Sequence, residues 1–372
     1  MEKKTLIGIL ICILMVVSMI HPVSATTSSE KTSQTLTIGN ILHVGGLGPN
    51  NYTKIQDAIN DSSNGDTVYV HDDSSPYHET LTINKSIALV GENKETTVIE
   101  NYNVNSNAVR IWADNVRISG FTFSIWSQED SLYYVIYISK MAVWPGTTEI
   151  IEYVTISDNN FDVANHTNVG IGSLYLDYGT IDNNSFNGCY FGVKLLLSSH
   201  TIVTHNIITN CEWGIGIYNI WSPRYHLWFL HPQFGDNTIS KNRIAKNQIG
   251  IVIDGDRTTN DKILENNVSS NEIGIMLGTA FKSEIARNNF IGNNISAEID
   301  TERLLFYPTN SWHDNYWDEP KQSPVSIHGS FWFFLVYTGI GETSTASAFF
   351  LGKYPVIAFD RTPAQEPYDT EG

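Results

Sequence analysis

The feature that most constrains this chain is a short pattern that returns six times: an apolar residue, two residues, Asn, one residue, an apolar residue. It reads Ile156–Asn159–Phe161, Ile181–Asn184–Phe186, Val203–Asn206–Ile208, Ile239–Asn242–Ile244, Ile263–Asn266–Val268 and Ile285–Asn288–Phe290. An earlier copy, Ile118–Phe121–Phe123, has Phe in the Asn place. The Asn residues follow one another at steps of 25, 22, 36, 24 and 22. A few residues further on comes Gly-apolar-x-apolar, as Gly192-Val193-Lys194-Leu195, Gly214-Ile215-Gly216-Ile217, Gly250-Ile251-Val252-Ile253 and Gly274-Ile275-Met276-Leu277. Between the two signatures one place is held by Cys189, Cys211, Asn247, Asn271 and Asn293.

A unit of this length holds two or three short strands and tight turns, and cannot bury its own apolar face. Stacking unit on unit gives each strand a parallel neighbour about 4.8 Å away and buries a continuous apolar column. An Asn amide both donates and accepts, so identical Asn side chains can link rung to rung, which Ser or Asp cannot do as well. A leucine-rich repeat would need Leu-dominated spacing and a helix per unit, and a propeller blade would need about 40 residues. The expected fold is therefore all-β, a right-handed parallel β-helix over 51–300.

The ends read differently. Residues 1–25 have the form of a secretory signal: Lys3 and Lys4, the apolar run Leu6 to Ile20, then Val23-Ser24-Ala25. The alternative is an uncleaved membrane anchor, the one way a membrane enters this reading. Residues 26–50 read as a linker. Thr53 to Asn60 reads as a short capping helix, with Thr53 and Gln56 as its capping box and Ile55, Ala58 and Ile59 on one face. Residues 301–372 read as an aromatic-rich C-terminal cap or tail. The apolar run Phe331 to Ile340 is about half a membrane span and reads as buried core. Net charge is −17, from 39 acidic and 22 basic residues, which excludes a nucleic-acid binder built on a basic stripe. Seven Asn-x-Ser/Thr sites begin at Asn51, Asn60, Asn84, Asn165, Asn183, Asn267 and Asn294; some are open to glycosylation in an exported chain, others are chance. Once the signal is removed only Cys189 and Cys211 remain, in the same place of consecutive units. A disulfide and a pair of stacked free thiols are both open.

These repeats resemble those of the pectin-lyase-like superfamily, and most closely its NosD-like group of exported proteins, named for a periplasmic copper-processing protein. The N-terminal match lies in Tyr52-Thr53-Lys54-Ile55-Gln56-Asp57-Ala58-Ile59, Gly65-Asp66-Thr67-Val68-Tyr69-Val70, Tyr77-His78-Glu79, Ile87-Ala88-Leu89-Val90-Gly91-Glu92 and Thr97-Val98-Ile99. Asn315-Tyr316-Trp317 and Asp360-Arg361-Thr362-Pro363-Ala364 are similar to the ends of such chains. The resemblance implies the fold and export to the cell surface or beyond. It leaves activity open, because the superfamily includes lyases, hydrolases, esterases and adhesins.

Function should sit at the turns, where a solenoid tolerates insertions. The 36-residue step holds an insertion at about Trp221 to Asp236, and another lies at Met141 to Thr148. In register, Asp177-Tyr178, Ser199-His200, Asp254-Gly255-Asp256-Arg257 and Phe281-Lys282 should project from the same edge as both insertions. Aromatic rings beside charged groups suit sugars, so Trp144, Trp221, Tyr225, Trp228 and His231 are candidate glycan-binding residues. The expected role is a non-catalytic surface scaffold or glycan-binding module acting on glycans or cell-envelope polymers. The alternative is a polysaccharide lyase or hydrolase, with Asp254, Asp256, Arg257, His200 and Asp177 as candidate catalytic groups. Asp254 and Asp256 could also hold Ca²⁺; otherwise no cofactor is expected. The polygalacturonase, pectate-lyase and pectinesterase signatures are absent. Copper handling, the second alternative, lacks its usual clustered Cys, Met and His, and no metal site is expected.

Overall fold

The computed structural model describes residues 39–101, 106–125, 133–140, 149–163, 168–219, 234–255, 258–278, 280–301, 310–318, 325–337, 347–360 and 362–369. They wind into a right-handed parallel β-helix of about nine coils with three strand faces. The broad face stacks Leu81–Ile83, Val109–Ile111, Tyr134–Ile138, Val169–Leu174, Phe191–Leu196, Trp213–Asn219, Ile249–Gly255, Ile273–Leu277 and Ile295–Thr301. A second face runs from Ile41–Val44 to Ser311–His313, and a third from Tyr77–His78 to Tyr316–Trp317.

The repeat maps onto this geometry residue by residue. Its first apolar position is one buried file on the second face: Ile118, Ile156, Ile181, Val203, Ile239, Ile263, Ile285 and Trp312. Its last is another on the third face, where Phe123, Phe161 and Phe186 stack at 5.2 and 4.5 Å. Between the two files the Asn side chains form a ladder. Asn206 Oδ1 accepts from the backbone N–H and the Nδ2 of Asn184, at 3.0 and 3.1 Å. Asn206 Nδ2 donates to Asn242 Oδ1 at 3.0 Å and to the Ile181 carbonyl at 2.9 Å. The same arrangement runs from Asn159 to Asn315. Phe121 joins with only its backbone N–H, which donates to Asn159 Oδ1. The ladder's donor end meets Asp360, buried at 0 % exposure, whose Oδ2 accepts from Asn315 N, Asn315 Nδ2 and Trp317 Nε1, each at 3.0 Å.

The second signature has a steric cause. The glycine points into the coil, and a Cβ on Gly214 would meet the Gly250 carbonyl oxygen at 2.3 Å. No other residue fits where neighbouring coils approach so closely. Cys189 and Cys211 lie inside the coil as buried free thiols; the disulfide left open by the sequence is not formed here. The hydrogen bond to Cys211, with burial, holds the Cys189 thiol well above the ordinary range.

Both ends depart from the sequence reading. The helix α1 (Ile55–Asp61) buries Ile55, Ala58 and Ile59 as expected, but its N-cap is Lys54 and no side chain of the local sequence caps it. Glu79 from the first coil does so, its two oxygens accepting from Ile55 N at 2.8 Å and Gln56 N at 3.0 Å. A carboxylate satisfies two orphaned amides where Thr53 offers one oxygen. Gln56 is thereby free to pair with the backbone of Thr82 and cover the first broad strand. Residues 41–44, inside the expected linker, form a strand on Thr67–Val70. Residues 310–318, inside the expected cap, form one more coil. After it, Val325–Tyr337 and Ser347–Asp360 make an antiparallel hairpin, so the apolar run from Phe331 begins in a strand. Among the described residues no helix is long and apolar enough to cross a membrane. The signal segment, 1–25, lies outside the described residues.

Candidate functional site

The turns that leave the broad face do fall on one edge. Glu152 pairs with Asp177, Asp177 bridges to Ser199, and Gly235 pairs with Thr259 and Thr259 with Phe281. Beside this file runs another, Asn115, Tyr153, Tyr178, His200, Asp236, Asn260 and Lys282, every member left-handed with φ between 49° and 61°. That repeated conformation reverses the chain in each coil. The insertions leave and rejoin the coil at this edge, one between Ile138 and Ile151, the other between Asn219 and Phe234. Trp144, Trp221, Tyr225, Trp228, His231, Asp256 and Arg257 lie outside the described residues.

Two candidates meet here. His200 Nδ1 and Asp177 Oδ1 are 2.7 Å apart. The His200 ring stacks on Tyr178 at 4.7 Å, and Tyr178 on Tyr153 at 5.2 Å. Because these rings lie face to face, they cover one another's faces, and Tyr153 and Tyr178 stay 40 % and 44 % exposed. Asp254 stands elsewhere, exposed at the end of its broad strand in register with Tyr218.

The denser cluster is one that sequence reasoning missed. On the outer surface of the broad face, Lys194 Nζ lies 4.9 Å from the Phe191 ring centre and 5.8 Å from that of Tyr218. Trp213 closes the group, 5.1 Å from Phe191 and 6.3 Å from Tyr218. Gly216, the register partner of Lys194, makes the room: a Cβ there would meet the Tyr218 ring at 2.5 Å. Burial lowers the pKa of Lys194, and among the described residues no carboxylate forms an ion pair with it. Burial, then the charge of Asp254, raises that of the Tyr218 phenol, which is thus held neutral. Among the described residues Trp213 Nε1, Tyr218 Oη and Asn219 Oδ1, all on one strand, are buried and have no hydrogen-bond partner; a buried polar group left unpaired costs about 1–3 kcal/mol. The signal was present in the sequence: Lys194 fills the x of its signature where other units have Gly216, Val252 and Met276.

Among the described residues no group of three or more His, Cys, Asp or Glu could hold a metal ion. The two thiols face the core, and Met276 lies on the outer broad face. These residues do not assemble a soft copper site.

In fold, the molecule is thus a right-handed parallel β-helix protein. Within it, residues 229–332 match the family described as periplasmic copper-binding protein (NosD). No curated protein matches the sequence. Among solved structures the chain is similar to the A-module of the Azotobacter vinelandii mannuronan C-5 epimerase AlgE4, with 13% identity, 70% of this chain and 86% of that one covered, and a TM-score of 0.43. It is also similar to pectate lyase Pel9A, with 14% identity, 75% and 74% covered, and a TM-score of 0.41.

Proposed function

We propose that this is an exported glycan-binding module that holds a saccharide chain across the outer broad face, beside the insertion edge. The observation that carries the reading is Lys194: a partly desolvated cation 4.9 and 5.8 Å from two ring centres, with no carboxylate paired to it among the described residues. A saccharide suits such a group, its ring C–H faces packing on the aromatics and its polar groups meeting the cation. An acidic group on that sugar would pair with Lys194. A charged hydrogen bond is worth about 1.5–3 kcal/mol, or roughly 10- to 150-fold in affinity.

The test is affinity electrophoresis of the exported protein in gels containing acidic or neutral polysaccharides, for the parent, Lys194→Met and Tyr218→Phe. Retardation by an acidic polysaccharide, weakened at least tenfold by Lys194→Met with unchanged melting, supports the reading. No retardation of the parent, or retardation that ignores both changes, removes it. The Asp177–His200 hydrogen bond favours a second reading, a polysaccharide-processing enzyme in which Asp177 orients His200 as a general base. Release of reducing ends or unsaturated products that His200→Ala abolishes would establish it.

A further inference from the structure

A second rung-to-rung file runs at the corner between the insertion edge and the second face, through Thr201, Asn237, Asp261, Ser283 and Asn310. Thr201 N donates to Asn237 Oδ1, and Asn237 N and Nδ2 both donate to Asp261 Oδ1, each at 3.0 Å. Ser283 N donates to Asn310 Oδ1, also at 3.0 Å. The file repeats the Asn ladder at Asn237 and Asn310 and departs from it at Thr201, Asp261 and Ser283, of which only Asp261 puts an ionisable acid in an Asn place.

That substitution has a chemical consequence. In both files each Asn Nδ2 donates to a carbonyl three residues before the preceding rung member: Asn206 to Ile181, Asn237 to Ser198, Asn310 to Ala280. By the same register, Asp261 Oδ2 faces the carbonyl of Phe234. An ionised carboxylate there sets acceptor against acceptor. Asp261 is 0 % exposed, and among the described residues its Oδ2 has no hydrogen-bond donor. The Oγ of Ser283, on the next rung, is also buried and has no partner among the described residues. The charged groups around it give no relief. Asp236 on the preceding rung is itself an acid, and no ion pair joins Asp261 to Lys262 on its own strand or to Lys282 beside Glu284 on the next rung.

We propose that Asp261 is carried as the neutral acid, its Oδ2–H donating to the Phe234 carbonyl in place of the missing amide, and that losing this proton loosens the insertion edge. The strands concerned, Phe234–Gly235, Thr258–Thr259 and Ala280–Phe281, are those that carry the edge past the large insertion. Burial raises the Asp261 pKa to about 7, against the 3.8 of an ordinary Asp. The folded chain therefore binds a proton that the unfolded chain has released between these values. Its stability falls as pH rises through that window, and above about 7 the loss is complete and constant.

The experiment compares wild type with Asp261→Asn, which restores the amide. Denaturant midpoints are measured from pH 4 to pH 9, and the infrared carbonyl band of a buried carboxylic acid is read in the wild type. The expected result is near-equal stability at pH 4 and an advantage for Asp261→Asn that grows roughly tenfold in folding equilibrium per pH unit up to about pH 7, then stays level. The acid band should be present at pH 5 and absent from the variant. A pH-independent difference, or an ionised Asp261 at pH 5, overturns the proposal. The infrared reading on the wild type decides it even if the variant does not fold.

Discussion

Replacing Asn206 with Leu tests the ladder where it is most complete. The side chain makes five hydrogen bonds: Oδ1 accepts from Asn184 N and Nδ2, and Nδ2 donates to Ile181 O, Thr204 O and Asn242 Oδ1, all within 2.8–3.1 Å. Not all of these partners are stranded by the change. Asn184 Nδ2 keeps the Ile156 and Asp182 carbonyls, and Asn242 Oδ1 keeps the Asn206 backbone N–H. The Asn184 backbone N–H loses its acceptor at a site with 0–2 % exposure, whereas the Ile181 carbonyl, inside the parallel pairing of Thr180–Asp182 with Ile202–Thr204, gives up only a second donor. At about 1–3 kcal/mol for a buried group left unpaired, the loss should be about 1–3 kcal/mol. Urea unfolding by tryptophan fluorescence gives the total, and amide exchange shows whether the coils on either side of Asn206 open first, as neighbour-coupled repeats should. A loss below about 1 kcal/mol, with unchanged exchange at Asn184, would refute the idea that the ladder amides hold the coils in register.

Two changes test the ends. Asp360→Ala leaves Asn315 N, Asn315 Nδ2 and Trp317 Nε1 without their shared acceptor, so it should cost about 3 kcal/mol or more, with exchange protection lost first in the coil at 310–318. Glu79→Ala uncaps α1 by removing the acceptor of Ile55 N and Gln56 N; it should cost about 1–2 kcal/mol in a thermal melt and expose the first coil to proteolysis.

The coil was legible because its physics is translational. Once units stack, a residue's neighbours are its own counterparts, and the step from Asn206 to Asn242 differs only by the chain inserted after Asn219. The ends break that translation, and there local patterns misled. Thr53 and Gln56 spell a capping box, yet a carboxylate 24 residues further on reaches the helix terminus first. Trp312–Asn315–Trp317 is a seventh copy of the motif, disguised by Trp at both apolar places.

The cluster at Lys194 was illegible for a related reason. A repeat directs attention to what recurs, whereas a binding surface on a solenoid is made of what does not. On the outer broad face the register file through Lys194 reads Tyr137, Gly172, Lys194, Gly216, Val252, Met276 and Glu298. The glycines flanking Lys194 are as informative as the lysine, because the Tyr134 ring lies over Gly172 and the Phe191 and Tyr218 rings lie over Gly216. Small residues on the outer face of a strand bury nothing in the coil, so their use is to admit large neighbours. The same reasoning ranks the two clusters. Tyr153, Tyr178 and His200 follow the file of left-handed turns and stack because the coils stack. The Lys194 cluster departs from its file, strands polar atoms and desolvates a charge, costs that stacking alone does not require.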